Sequence, residues 1–265
     1  MAAALLREGG VRVEHDGPVA AVVLARPGRR NAMTPSTWTA LAAVPALLGE
    51  DVRLVVLRGE GASFCAGLDL RLFSRPGATP EGVPGEGTLA DHVGGRTDAE
   101  VEAQIAAWQA AFTWLRDPRW LTVAAVQGHA VGAGFQLALA ADLRVLADDA
   151  RFCMREAALG LIPDLTGTKA LVDCVGYARA LEICATARWV GAEEAVRIGL
   201  ASLAVPAAEL DGAVADLCAA LLANPATPVR ALKALLLGAG GRDLAAQAAA
   251  ERRAQVPLLR SILPG

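Results

Sequence analysis

The most informative segment of the sequence is "AAVQGHAVGAGFQLALAADLRV", residues 124–145. It begins inside an apolar run, 121–127, whose length and β-branched content are typical of a buried strand. A glycine-rich turn follows and opens directly into an apolar helix, and a second apolar run, 143–149, comes next. Strand, helix and strand in this order predict a mixed α/β domain.

The same pattern occurs nearer the start of the chain. Apolar runs at 19–25 and 52–58 predict two more buried strands. Between them, Thr34 is a predicted helix N-cap with Pro35 at the first helical position. The first part of the chain therefore also predicts strand, helix and strand.

The rest of the chain is less regular. Residues 74–97 have no hydrophobic periodicity and predict a long loop, of the kind that is usually functional or disordered. Asp98 is the predicted cap of a helix over 98–115, and 156–164 reads as a turn and a strand. The last third predicts almost only helices.

Composition excludes several classes of protein. Among the 265 residues, 54% are hydrophobic and 20% charged, and the net charge is −3, which gives no electrostatic basis for binding nucleic acid or an anionic membrane. Five scattered cysteines without a C-x-x-C pair indicate buried thiols in a reducing compartment and no metal site. No apolar run approaches about 20 residues. We therefore expect a cytoplasmic globular protein.

Two glycine-containing turns, 64–70 and 128–138, carry the chemistry-bearing pattern. Each follows a strand and leads towards a helix, so unpaired backbone N–H groups can point outward and stabilise a negative oxygen. Two such turns would form an oxyanion hole; the alternative is that the glycines only allow tight packing. A dinucleotide fingerprint is disfavoured because Leu137 stands where Gly or Ala is required. The motifs of P-loop proteins, serine hydrolases and zinc proteases are absent from the sequence.

Four segments in order resemble the crotonase, or enoyl-CoA hydratase/isomerase, family. They are "LARPGRRNAM" at 24–33, "GASFCAGLDL" at 61–70, the opening stretch, and "MREAALGLIPDLTGTKAL" at 154–171. The resemblance implies a crotonase (ClpP-like) fold, with repeated β-β-α units in a spiral and a C-terminal helical trimerisation region. It implies an α/β core with the CoA site over 1–195, and a helical oligomerisation region over 196–265 that forms a homotrimer or hexamer.

The resemblance also places the reacting groups. It puts the oxyanion hole on the N–H groups of Leu68 and Ala133, where an acyl-CoA thioester oxygen would be held. The two glutamates of family hydratases correspond to Gln136 and Glu156, and an amide exchanges no proton at neutral pH. Asp164 is a second acid, at the spacing of dienoyl-CoA isomerases in the family. The three predicted catalytic residues are thus Glu156, Asp164 and Gln136.

Other interpretations of these three residues stay open. Glu156 could form a surface pair with Arg155, and Asp164 could be a turn former or a helix cap. Gln136 could be a satisfied buried amide. His129, which lies between two turns, has no catalytic counterpart in the family, so we expect a structural role.

For CoA, the resemblance implies contacts from the first two matching segments. The predicted CoA-binding residues are Arg26, Arg30, Ala66, Leu68, Asp69, Leu70 and Arg71. CoA is part of the substrate, so no separate cofactor and no metal are expected. One carboxylate can move a proton between two carbons, which favours double-bond isomerisation of an enoyl-CoA. Hydration of a 2-enoyl-CoA and non-catalytic acyl-CoA binding remain the alternatives.

Overall fold

The computed structural model describes residues 2–74 and 86–263, and within them nine strands form two sheets. The strands are β1 (Val11–Asp16), β2 (Val19–Leu24), β3 (Leu54–Gly59), β4 (Leu121–Val126), β5 (His129–Val131), β6 (Leu143–Ala147), β7 (Arg151–Cys153), β8 (Trp189–Gly191) and β9 (Leu203–Val205).

The main sheet has the order β1-β2-β3-β4-β6-β9. Strand β1 runs antiparallel to β2, and every later neighbour is parallel. Parallel neighbours require a crossover, and helices fill most of the crossovers here. The second sheet, β5-β7-β8, lies beside the main one, because the chain leaves β4, turns at Gly128 and enters β5 after two residues.

Eleven α-helices connect and cover the sheets in the described residues. They are α1 (Ala2–Gly9), α2 (Pro35–Ala43), α3 (Leu89–Val93), α4 (Asp98–Thr113), α5 (Ala133–Ala140), α6 (Gly167–Val175), α7 (Tyr177–Thr186), α8 (Ala192–Arg197), α9 (Leu210–Leu222), α10 (Ala226–Ala239) and α11 (Leu244–Ile262). No single described helix is both long and apolar enough to cross a membrane. One pair of segments, 207–222 and 226–239, meets these criteria only when both are taken together, and it is bent by 102°.

Successive side chains on the central strands point to opposite faces of the main sheet, so the core has one part on each face. On β3, Val55 and Leu57 face the larger core, where α2, α4 and α5 pack, whereas Leu54 and Val56 face α9. All four are almost fully buried, and burying each such side chain contributes roughly 1.5–3 kcal/mol. Helix α5 is buried along its whole length, which explains why its sequence is apolar on all sides.

The four predicted apolar runs form strands, and the helix predicted over 98–115 is present, with boundary shifts of up to two residues. The cap of α4 is a correction, because Thr97 and not Asp98 accepts the bond from Glu100 N–H. A second correction concerns 156–164, where a 3-10 helix, Glu156–Leu159, replaces the predicted strand. In the predicted loop 74–97, residues 75–85 lie outside the described part, and α3 occupies part of the remainder.

Five short strands went unpredicted: β1, β5, β7, β8 and β9. Four of them have three residues, too few to show an alternation of two. Beyond residue 195, β9 still joins the main sheet beside β6 and α9 packs on it, whereas α10 and α11 pack on each other. The division into regions 1–195 and 196–265 stays a prediction.

Candidate active site

The first turn, after β3, is attached directly to the strand that leads to the second turn. Cys65 N–H donates to His129 O at 2.9 Å, and Val131 N–H donates to Cys65 O at 3.0 Å. Gly67 has φ +90°, and a Cβ added there would lie 2.6 Å from Val131 O and 3.8 Å from Ala133 N. Only glycine allows this approach, so the two turns are in contact at Gly67.

The N–H of Leu68 takes no part in the hydrogen bonds that fix the first turn. Met33 N–H donates to Gly67 O at 2.7 Å, and Asp69 N–H donates to Met33 O at 2.9 Å. These two bonds form a parallel bridge between Met33 and Leu68, in which Leu68 itself contributes neither group. In the described part of the chain, no acceptor is bonded to the Leu68 N–H. This donor is therefore available to a ligand.

The second donor is at the start of α5. Gly132 adopts φ +49° and ends β5, and Ala133 is the first helical residue. The N–H of a first helical residue has no partner within its own helix, and the helix dipole makes this end positive. Gly134 has no room for a Cβ, which would lie 2.5 Å from Cys65 O. The structure thus brings together the two predicted oxyanion donors, Leu68 and Ala133.

The carboxylate of Glu156 lies beside the second turn. A Cβ added at Gly132 would be 3.3 Å from Glu156 Oε1, and this oxygen accepts a hydrogen bond from Gln136 Nε2 at 2.7 Å. The other oxygen, Oε2, is buried and has no partner among the described residues. Burial raises the pKa of Glu156; hydrogen bonds from its own N–H and from Gln136 oppose this, and the charge of Asp164 adds to the increase. No ion pair joins it to Arg155 in the described residues.

Gln136 is held in one orientation by backbone groups. Its Oε1 accepts from Leu165 N–H at 2.9 Å and from Gly167 N–H at 3.2 Å, so the amide nitrogen must face Glu156. Gln136 is 1% exposed, and a Cβ at Gly167 would lie 2.5 Å from its Cγ. It is the satisfied buried amide of one interpretation, and it also fixes the predicted acid/base.

Asp164 lies near enough to Glu156 for its charge to raise the pKa of Glu156. Its side chain is half-buried, and burial raises its pKa. Gln109 on α4 donates through Nε2 to the Asp164 carbonyl at 2.6 Å, a contact with no signal in the sequence pattern. Helix α6 begins at Gly167 after Thr166 without a side-chain cap, so Asp164 is not its cap.

Three of the predicted CoA-binding residues bind one another. Asp69 is 5% exposed and accepts from Arg71 Nε at 2.8 Å and from Arg71 Nη2, and Arg26 Nη2 lies 3.5 Å from its second oxygen. The hydrogen bonds from Arg71 hold the pKa of Asp69 below its ordinary value, against the opposing effect of burial.

The remaining predicted CoA-binding residues are more accessible. Arg30 and Leu70 are exposed, while Ala66 and Leu68 are half-buried in the first turn. Ala66 N–H donates to Arg30 O at 2.9 Å, which joins the first turn to 26–33.

His129 has the structural contacts expected of it. Its Nδ1 lies 3.2 Å from Ser63 Oγ, and its ring packs edge-on against Trp189. Across the described residues, no group of three His, Cys, Asp or Glu side chains is arranged to hold a metal ion.

Comparison with known proteins defines the class to which this fold and site belong. The sequence profile of the enoyl-CoA hydratase/isomerase family matches residues 14–261. The chain therefore belongs to the enoyl-CoA hydratase/isomerase family, and the predicted α/β crotonase fold is confirmed.

Particular relatives differ in the reaction that their names give. A protein of Thermobifida fusca YX that is named a putative enoyl-CoA hydratase, solved in complex with acetoacetyl-CoA, is 48% identical over 98% of this chain and 98% of its own, with a TM-score of 0.91. The peroxisomal Δ(3,5)-Δ(2,4)-dienoyl-CoA isomerase of Arabidopsis thaliana is 30% identical over 86% of this chain and 80% of its own. The hydroxycinnamoyl-CoA hydratase-lyase of Pseudomonas fluorescens is 31% identical, over 84% and 76%. Family membership alone leaves the reaction open.

Proposed function

We propose that the protein is an acyl-CoA enzyme that isomerises the double bond of an enoyl-CoA through a thioester enolate. The observation that carries this proposal is the state of Glu156, which has one oxygen bonded to a neutral amide and one buried oxygen without a partner among the described residues. A single carboxylate with one available oxygen, beside two unpaired N–H donors, suits proton transfer between two carbons.

The reaction follows from the positions of these groups. Glu156 Oε2 removes a proton from C2 of a 3-enoyl-CoA, and the resulting negative charge moves to the thioester oxygen, which the N–H groups of Leu68 and Ala133 stabilise. The protonated carboxyl then returns the proton to C4, and the double bond shifts from C3–C4 to C2–C3. One such N–H donor contributes about 3–4 kcal/mol to stabilisation of the transition state.

The raised pKa of Glu156 suits both halves of this reaction. A carboxyl whose pKa is above its ordinary value is a stronger base when charged and returns the proton at a pH closer to neutral. Burial is the main cause, as in other buried acid/base carboxyls.

Gln136 argues against two-carboxylate hydration at this position. Its oxygen accepts from Leu165 and Gly167, and its nitrogen donates to Glu156, so Gln136 has no free acceptor for a water molecule. An amide would also not exchange a proton at neutral pH.

A second candidate is the isomerisation of a dienoyl-CoA with two carboxyls. The observation in its favour is Asp164, whose charge raises the pKa of Glu156 and whose own pKa is raised by burial. The family relative in Arabidopsis thaliana carries this activity in its name. With Asp164 as the second acid, a proton could be returned at a carbon farther along the chain.

The test is a substrate panel at one pH: a 3-enoyl-CoA, a 3,5-dienoyl-CoA and a 2-enoyl-CoA, followed by the absorbance of the conjugated thioester. We expect the 3-enoyl substrate to gain this absorbance and the 2-enoyl substrate to keep it. Turnover of the dienoyl substrate that Asp164→Asn abolishes supports the second candidate. Loss of absorbance from the 2-enoyl substrate, or binding of all three without turnover, contradicts the proposal and supports hydration or passive binding.

We also propose that α10 and α11 form the assembly surface of a homotrimer or hexamer. Leu236 on α10 is 64% exposed, and Ile262 on α11 is 74% exposed, together with several other large apolar side chains on these helices. Extended apolar surfaces of this kind mark interaction sites. Sedimentation equilibrium of the wild type and of Leu236→Lys tests this, because a monomeric wild type would exclude it.

A further inference from the structure

A buried carboxylate directly follows the first oxyanion donor in the chain. Asp69 is 5% exposed and is saturated by arginines: Arg71 donates through its backbone N–H at 3.2 Å, through Nε at 2.8 Å and through Nη2, and Arg26 Nη2 lies 3.5 Å from the second oxygen. Three hydrogen bonds and one ion-pair contact therefore hold this carboxylate among protein groups.

Arg26 connects this carboxylate to a different segment of the chain. Its Nη1 donates to Ala32 O at 2.6 Å, and its backbone N–H donates to Asn31 Oδ1 at 2.9 Å. The guanidinium therefore joins the turn at 26–33 to Asp69. Burial lowers the pKa of Arg26, against the effect of Asp69, which agrees with an inward-facing position.

Backbone hydrogen bonds join the same two segments around the donor. Ala66 N–H donates to Arg30 O, Met33 N–H to Gly67 O, and Asp69 N–H to Met33 O, at 2.7–2.9 Å. Leu68 lies between the last two bonds. The pair Arg26–Asp69 adds an ion pair to these backbone bonds, and it is the only ion pair in the described chain that joins the two segments.

We infer that Asp69 and Arg26 are positioning residues for the Leu68 N–H, and that neither is a ligand of the CoA phosphates. This inference rests on the proposed function, in which that N–H stabilises an enolate. The ion pair holds the first turn, and the turn places the Leu68 N–H. A misplacement of this N–H by about 1 Å would lower the rate by about 100-fold.

Loss of a positioning residue and loss of a phosphate ligand change different kinetic constants. A phosphate ligand binds the nucleotide part of CoA, so its loss raises KM and is felt only by substrates that contain this part. A positioning residue of the oxyanion hole acts in the transition state, so its loss lowers kcat for any thioester.

The experiment compares Asp69→Asn with the wild type on acyl-CoA and on the corresponding acyl-pantetheine, which lacks the nucleotide. We expect kcat to fall about tenfold to 100-fold by the same factor for both thioesters, with KM changed by less than about twofold. A loss confined to acyl-CoA and expressed in KM would overturn the inference.

A spectroscopic measurement reports on the oxyanion hole without turnover. Bound acetoacetyl-CoA ionises to an enolate with its own ultraviolet absorption, and the fraction ionised depends on the two N–H donors. We expect Asp69→Asn to shift this ionisation to higher pH. An unchanged ionisation in Asp69→Asn contradicts the inference, whereas the absence of an enolate in the wild type contradicts the proposed function itself.

The chain offers a matched control at Asp117. Arg119 binds Asp117 through its backbone N–H at 2.8 Å and through Nε at 3.0 Å, the same local arrangement as Arg71 with Asp69, in a turn that carries no predicted site residue. Asp117→Asn should leave kcat and the enolate unchanged, and an equal loss in this variant would overturn the specific role of Asp69.

Arg26→Lys covers the case in which Asp69→Asn does not fold. Lysine retains the charge beside Asp69 but cannot reach both Asp69 and Ala32 O in the fork geometry of arginine. A kcat loss of several-fold on both thioesters supports the positioning role. A KM increase on acyl-CoA alone identifies Arg26 as a phosphate ligand and overturns it.

Discussion

Two carboxylates lie beside the two turns of the candidate site, Asp69 buried and Glu156 half-buried, and their surroundings are opposite. Asp69, at the first turn, is bonded to two arginines, whereas Glu156, at the second turn, is bonded to one neutral amide and keeps a free oxygen. Arg71 lowers the pKa of Asp69, while burial raises the pKa of Glu156. The same functional group is thus fixed as a charge at one turn and left able to exchange a proton at the other.

The comparison assigns a structural part to the first carboxylate and a chemical part to the second. Burial alone does not explain the difference, because Asp69, the more deeply buried of the two by exposed surface, is the one whose pKa is lowered. The hydrogen-bond partners do, because arginine stabilises the charged form strongly and an amide only weakly. Variants at each turn should therefore fail in different ways.

The largest effect is expected from Glu156→Gln. The amide preserves the size of the side chain but has no oxygen able to accept a proton, so turnover of a 3-enoyl-CoA should fall by about 10³–10⁴-fold. The Kd for acetoacetyl-CoA should change little, because the donors at Leu68 and Ala133 remain. Stopped-flow kinetics and calorimetry measure the two quantities.

Glu182→Gln is the control for that substitution. Glu182 is a surface glutamate bound to Arg188, and it has no contact with the site among the described hydrogen bonds. It should retain wild-type turnover. Turnover in Glu156→Gln at the level of this control would remove Glu156 from the mechanism.

The next largest effect is expected at the contact between the turns, in Gly67→Ala. The added Cβ would lie 2.6 Å from Val131 O in a residue with φ +90°, so the turns must separate. We expect kcat to fall about 100-fold, as when one oxyanion donor is lost, and the free energy of unfolding to drop by about 1–3 kcal/mol.

Gly17→Ala separates these two causes. Gly17 also has positive φ, +54°, but nothing lies within 4 Å of its added Cβ. It should lose stability through backbone strain alone and keep full kcat. An equal kcat loss in both variants would show that general destabilisation, and not separation of the turns, lowers the rate.

The sequence was sufficient for the architecture around these turns and for the residues placed there. Long apolar runs identified β2, β3, β4 and β6, and the glycines located both turns. Gly67 and Gly132 have positive φ and close neighbours, which is a physical reason for glycine that a pattern can detect.

The sequence was not sufficient for the partners of each side chain. The role of Gln136 depends on Leu165 and Gly167, 29 and 31 residues further on, and Gln109 reaches Asp164 across 55 residues. Asp69 and Arg26 resemble phosphate-binding residues by composition, yet they bind each other. Spacing along the chain indicates which residues share a segment, but tertiary contacts decide what each carboxylate touches.

Stability against pH gives a third test, with opposite signs at the two turns. Asp69 has a lowered pKa, so its charge stabilises the fold above the ordinary carboxyl pKa, and this contribution is lost as the pH falls through the folded value. Asp69→Asn should therefore destabilise at neutral pH, by about 3 kcal/mol, and much less in acid.

Glu156 should behave in the reverse sense. Its raised pKa means that the protonated form is favoured in the fold, and this contribution is lost as the pH rises through the folded value. Glu156→Gln should be stabilising at neutral pH, by up to about 1 kcal/mol, and neutral in acid. Urea unfolding at both pH values measures each difference, and equal signs for the two variants would contradict the comparison.

The smallest effect on the rate is expected from Gln136→Glu, which changes the charge beside Glu156. One oxygen of the new carboxylate would accept from Leu165 and Gly167, and the other would face Glu156 Oε1. A second negative charge at hydrogen-bond distance raises the pKa of Glu156 further. The acidic limb of kcat/KM for the 3-enoyl substrate should therefore move to higher pH, with the maximum rate changed by less than about tenfold.

The double variant Gln136→Glu, Glu156→Gln exchanges the amide and the carboxyl while keeping the pair, and it should be inactive. The carboxylate at position 136 is held by the backbone N–H groups of Leu165 and Gly167, and it is not the group beside Gly132. Activity in the double variant would mean that either position can carry the base, and that the free oxygen of Glu156 is not required for proton transfer.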